Sequence, residues 1–78
     1  MNQEIKVGVI GLGERGYSTL MGVLCDMDSI RITYVCDRYE DRAVRGQQGV
    51  LEKKGYAPKY TTDYRTLIED SDVEAVVI

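Results

Sequence analysis

Ile5-Lys6-Val7-Gly8-Val9-Ile10-Gly11-Leu12-Gly13-Glu14-Arg15-Gly16 decides how the rest of the chain is read. Its first half is a short apolar, β-branched run, which predicts a buried strand. Its second half is a glycine-dense turn in which Gly11, Gly13 and Gly16 spell G-x-G-x-x-G. Beyond the turn, Tyr17, Leu20, Met21, Leu24 and Cys25 recur at helical spacing, one apolar face that Asp26-Met27-Asp28-Ser29 ends.

Working outward, the same alternation continues. Ile30, Ile32, Tyr34 and Val35-Cys36 predict a second strand that stops at Asp37. A helix follows from about Tyr39 to Lys54, with Tyr39, Ala43, Val44, Gln47, Val50 and Leu51 inward. Gly46 and Gly49 each cost that helix about 1 kcal/mol against alanine. Lys53 and Lys54 suit its last turn, and Gly55 suits a left-handed cap. Lys59-Tyr60-Thr61 predicts a short third strand. Asp63 caps a short helix with Tyr64, Leu67 and Ile68 inward, and Asp70-Ser71-Asp72 breaks it. Val73 to Ile78 opens a fourth strand. The order βαβαβαβ implies an α/β fold, a parallel sheet with right-handed crossovers.

With 8 glycines in 78 residues, a chance G-x-G-x-x-G has odds of roughly one in thirteen, so its context must decide. A dinucleotide loop requires a strand before, a helix after and an acid about 20 residues on. All three are present, with Asp37 lying 21 residues past Gly16. In this reading Gly11 permits the tight turn, Gly13 lets a pyrophosphate approach the backbone, and Gly16 lets helix and strand pack closely. The N–H groups of Glu14 and Arg15, at the start of the helix, face the phosphates with the helix dipole behind them. The expected cofactor contacts are therefore Gly11, Leu12, Gly13, Glu14, Arg15, Gly16, Asp37 and Arg38. No residue here is expected to be catalytic or to hold a metal.

Asp37 accepts hydrogen bonds from a ribose diol and repels a 2′-phosphate. Two unit charges about 4 Å apart at an effective dielectric near 20 cost on the order of 4 kcal/mol, roughly a thousandfold preference for NAD over NADP. Arg38 softens that preference by stacking on adenine or pairing with the phosphate. NAD is expected first, with NADP possible; equal affinity for the two contradicts this. Arg38, Arg42 and Arg45 otherwise read as a solvated helix face paired with Glu40 and Asp41. Cys25 and Cys36 read as buried, inert thiols.

Composition bounds the rest. Ten basic and 13 acidic residues give a net charge of −3, and apolar residues make up 44%. The charge argues against a nucleic-acid partner, which needs clustered Lys and Arg. No apolar run approaches the roughly 20 residues of a membrane span. The N-terminus lacks a signal-peptide layout, and two cysteines make no disulfide framework. Cytoplasmic residence is expected. Histidine, the commonest general acid/base, is absent.

The runs KVGVIGLGERG, VCDR and YTTDYRTLIEDSDVEAVVI together resemble the N-terminal Rossmann domain of the Gfo/Idh/MocA oxidoreductases over essentially the whole chain. The resemblance implies a Rossmann-like three-layer parallel sheet, truncated, with strand order 3-2-1-4. Residues 1–78 would be the N-terminal part of an NAD(P)-binding domain, with the catalytic C-terminal domain absent from this chain. An E-K-P motif whose lysine is the usual catalytic residue would follow Ile78. The parent protein would transfer hydride between a sugar-like or cyclitol hydroxyl and nicotinamide. The arginine in G-L-G-E-R-G also resembles a branch of NAD-dependent glycoside hydrolases, which use bound NAD for transient oxidation. A non-catalytic nucleotide-binding module, or an FAD or S-adenosylmethionine protein, remain alternatives. The apolar edge at Val73–Ile78 is expected to drive self-association, and a homo-oligomer is expected.

Overall fold

The computed structural model describes residues 4–78. Its strands are β1 (Ile5–Ile10), β2 (Ile30–Cys36), β3 (Lys59–Thr61) and β4 (Ala75–Val77). They pair in parallel in the order β3-β2-β1-β4. The helices are α1 (Glu14–Gly22), α2 (Glu40–Lys54) and α3 (Tyr64–Glu69), with a single 3-10 turn at Leu24–Asp26. The expected α/β three-layer architecture and strand order are thus observed.

The sheet has two unequal faces. Val7, Val9, Ile30, Ile32 and Val35 pack with Leu12, Leu20, Leu24, Cys25 and Val50 under α1 and α2. Tyr34, Cys36 and Leu67 form a smaller cluster under α3, with Ile10 and Val73 against it. A bulge in β2 makes this division possible. Val7 pairs with Ile32 but Gly8 pairs with Tyr34, so Thr33 is the extra residue. The strand changes phase there, and Val35 rejoins the face of Ile30 and Ile32 while Tyr34 and Cys36 turn to the other. The Thr33 hydroxyl donates to the Asp72 carbonyl at 2.5 Å, anchoring the bulge.

Three helical readings need correction. The first helix stops at Gly22, and Leu24 and Cys25 are buried from the 3-10 turn instead. Glycine weakens the helix there, and Lys53 of α2 donates to the Met21 carbonyl at the end of α1. In α2, Tyr39 and Leu51 are exposed. The inward stripe is narrower, because Leu12 and Met21 fill the space where Gly46 and Gly49 would carry a Cβ. The two glycines that weaken the isolated helix are what let it lie close to α1 and the loop. In α3, Tyr64 and Ile68 are exposed and only Leu67 is buried, its methyl 2.6 Å from where a Gly8 Cβ would stand. The predicted caps are present: Gly55 is left-handed at φ 84°, and Asp63 accepts from the Arg65 N–H at 3.0 Å.

At the N-terminal edge of the sheet, Lys59 lies 3.0 Å from Asp70 and 3.7 Å from Asp72, and Lys6 lies 3.6 Å from Asp72. The Asp72 N–H, then Lys59, hold the Asp70 carboxyl below the usual carboxylate range. A carboxyl depressed in the folded state stabilises the fold above its unfolded value and loses that contribution as pH falls through its folded value. The urea midpoint should therefore drop on acidification below about pH 4, and Asp70→Asn should flatten that part of the curve. An unchanged acid limb in the variant would contradict the assignment.

Candidate functional site

The loop sits where the sequence places it, between β1 and α1 at the C-terminal edge of the sheet. The Gly11 N–H extends the ladder by donating to the Cys36 carbonyl at 2.9 Å. The chain then turns at Gly11, whose φ of +92° lies in the region that disfavours a side chain. Gly13 is the N-cap of α1, with ordinary extended angles (φ −64°, ψ −175°) and no side-chain cap. The first helical bond runs from the Tyr17 N–H to the Gly13 carbonyl at 2.8 Å. The N–H groups of Glu14, Arg15 and Gly16 thus have no partner within the helix, and the positive end of its dipole stands behind them.

The three glycines meet different surroundings. A Cβ on Gly16 would stand 2.0 Å from the Gly11 carbonyl oxygen, so helix and loop touch backbone to backbone. A Cβ on Gly13 would find nothing closer than an Arg42 guanidinium nitrogen at 3.9 Å. Nothing in the protein demands glycine at position 13. The space beside it opens into the clefts that flank the loop.

Clefts open on both sides of the loop. The larger, about 520 Å³, runs from Gly11, Gly13 and the Glu14-Arg15-Gly16 turn to Thr19, Leu24, Val77 and Ile78. It lies beyond the carboxyl ends of β1 and β4, where the strand order reverses, the usual ligand position in such sheets. The smaller, about 380 Å³, is lined by Gly11, Gly13, Asp37, Arg38, Arg42, Thr62 and Tyr64, among others.

Asp37 is 5% exposed, the sole charged residue among the buried ones described. Its Oδ2 accepts from the Leu12 N–H at 2.7 Å and its Oδ1 from the Tyr39 N–H at 2.9 Å. Of the expected contacts, Gly11, Gly13, Glu14, Arg15, Gly16, Asp37 and Arg38 line one cleft or the other. Leu12 does not. It is fully buried against α2 at Gly46 and its N–H is held by Asp37, so it belongs to the scaffold of the loop.

Arg42, read from the sequence as part of a solvated helix face, lines the smaller cleft beside Asp37 and Arg38. The expected pairing of Arg38, Arg42 and Arg45 with Glu40 and Asp41 is not among the described ion pairs. Arg38 and Arg42 instead lie over the Tyr39 ring at 5.5 and 4.8 Å, and Arg45 over Tyr17 at 3.8 Å. The four-residue spacing of Arg38 and Arg42 is the signal that would have found the pair. Burial pushes the thiols of Cys25 and Cys36 up from their ordinary value.

A parallel sheet in the order 3-2-1-4 with a glycine loop at its switch point defines a Rossmann-type domain. The homologues are Gfo/Idh/MocA-type proteins. The chain is 33% identical over 78 residues to a glycosyl hydrolase family 109 protein of Akkermansia muciniphila, covering 95% of this chain and 16% of the relative. It is 34% identical over 74 residues to inositol 2-dehydrogenase of Salmonella typhimurium, covering 95% of this chain and 21% of the relative. Among solved structures, a 3-ketoreductase from Actinomadura kijaniata in complex with NADP superposes with a TM-score of 0.70 at 31% identity, over 95% of this chain and 22% of that one. A scyllo-inositol dehydrogenase from Lactobacillus casei, with NAD(H) and scyllo-inositol bound, shares the fold with a TM-score of 0.77 at 17% identity, over 97% of this chain and 21% of that one. The chain spans about a fifth of the length of these proteins. No family model matches it.

Proposed function

We propose that residues 1–78 are the N-terminal part of an NAD(P)-binding domain, in a protein whose catalytic groups lie outside them. The whole protein would transfer hydride between a sugar-like or cyclitol hydroxyl and nicotinamide. The observation that carries this is the open cradle at Gly13 facing the unpaired N–H groups of α1, with Asp37 across the loop. The names of the relatives, an inositol dehydrogenase and an NADP-bound ketoreductase, support the reaction class.

In this reading the diphosphate lies over the N–H groups of Glu14, Arg15 and Gly16, which line the larger cleft. Asp37 receives the adenosine ribose. Arg38 and Arg42 offer a stacking surface for adenine and positive charge near a 2′-phosphate. The carboxylate favours NAD and the two arginines keep NADP acceptable. A second reading, an NAD-dependent glycoside hydrolase, is favoured by the family 109 relative and by Arg15 within G-L-G-E-R-G.

Titration calorimetry against NAD, NADP, FAD and S-adenosylmethionine tests the nucleotide reading. NAD should bind tightest, with a Kd on the order of 1–100 µM, and NADP more weakly. Tighter binding of FAD or S-adenosylmethionine, or no binding below about 1 mM, overturns it. Cytoplasmic residence and a homo-oligomer complete the proposal. No described helix is long and apolar enough to cross a membrane. A single monomeric species in sedimentation would count against the oligomer.

A further inference from the structure

We propose that Asp37 is the positioning residue of the glycine loop: through the Leu12 N–H it fixes the loop's shape for the diphosphate, separately from any bond to a ribose. This rests on the nucleotide-binding reading above. In the loop, the Gly11 N–H is satisfied by Cys36 and the Gly13 carbonyl by Tyr17. The Leu12 N–H is satisfied by the Asp37 carboxylate at 2.7 Å, within a fully buried residue. Left unpaired there, it would carry the desolvation cost of a buried donor, and the loop would rotate to expose it.

The tether is one of two. The Leu12 side chain fills the space beside Gly46 of α2, and its N–H is bound to the end of β2. Asp37 also accepts from Tyr39, the N-cap of α2, so one carboxylate joins strand, loop and helix. Both bonds are charge-assisted and therefore strong. The direction of the N–H groups of Glu14, Arg15 and Gly16 follows from where Leu12 is held. A carboxylate has about four acceptor positions, so the two bonds it already accepts leave about two more, and Asp37 lines the smaller cleft. The two roles are compatible, and binding can separate them.

The experiment compares NAD with an NAD analogue whose adenosine carries 2′,3′-dideoxyribose, on the wild-type chain, Asp37→Ala and Asp37→Asn. If Asp37 served the ribose alone, removing it would leave the analogue's affinity unchanged. Positioning instead predicts that Asp37→Ala weakens the analogue by about tenfold or more. Asp37→Asn, which keeps one acceptor oxygen, should recover part of that loss. Amide exchange gives a readout without ligand. The Leu12 amide should be protected in the wild type and exposed in Asp37→Ala, while Val7, Val9 and Val35 stay protected. If Asp37→Ala does not fold, the same two measurements on Asp37→Asn decide. Equal affinity of the analogue for wild type and variant, or an unprotected Leu12 amide in the wild type, overturns the proposal. If NAD and the analogue both fail to bind the wild type, the nucleotide reading falls, while Leu12 exchange still decides the tether.

Discussion

Gly16→Ala is expected to cost more than half of the fold's stability. The added methyl would stand 2.0 Å from the Gly11 carbonyl oxygen and 2.9 Å from its carbon. Neither partner is a side chain that can swing away. Gly11 is bonded to Cys36 at the end of β2, and Gly16 lies in the first turn of α1. Relief requires the helix to lift from the sheet, which opens the core around Leu20 and Val9. Overpacking of this kind costs about 3 kcal/mol or more when backbone must move. Against a total stability on the order of 5 kcal/mol for a domain of this size, the melting temperature should fall by roughly 12 °C or more. Circular dichroism melting checks it, and a fall of less than about 5 °C would contradict a backbone-to-backbone contact between Gly16 and Gly11.

Gly13→Ala should do the opposite. The fold keeps its stability and the nucleotide is lost. The position has extended angles open to any residue, and the nearest atom to the new methyl is 3.9 Å away. Alanine lowers the unfolded chain's entropy, worth about 0.4–1 kcal/mol, but is a poorer N-cap than glycine by a similar amount. The two effects offset, and melting should move by no more than about 4 °C. The methyl occupies the space a phosphate oxygen needs to reach the N–H groups of the first turn. Losing two or three such bonds is worth about 3 kcal/mol, so NAD affinity should fall roughly a hundredfold. Melting and calorimetry on one sample check both halves. Undiminished affinity would mean that the ligand does not approach here. A collapsed melting temperature would mean that the protein itself requires this glycine.

Much of the site was legible because its requirements are local. A glycine at positive φ, a helix start without a cap and an acid at the end of the next strand are each written within a few residues. Their spacing along the chain carries the βαβ order. The caps at Gly55 and Asp63 were legible for the same reason. Faces were harder. Periodicity placed Tyr39, Leu51, Tyr64 and Ile68 inward, yet all four are exposed. A helix can bury only the width its neighbour offers. α3 offers one leucine to Gly8, and α2 packs through glycines that carry no apolar signal.

Taken alone, the sequence determined the strand, the glycine turn, the helix and the acid that follows them, and with these the parallel sheet and its switch point. Only tertiary structure decided the jobs within that frame. It buried Leu12 completely against α2, put Gly16 in backbone contact with Gly11, and left open space beside Gly13. The bulge at Thr33 is the clearest case. A single extra residue shifts the phase of β2, so that Val35 returns to the α1 and α2 face and Asp37 ends within 2.7 Å of the Leu12 amide. A strand's phase depends on which residue of the neighbouring strand it pairs with, and that partner lies more than twenty positions away along the chain.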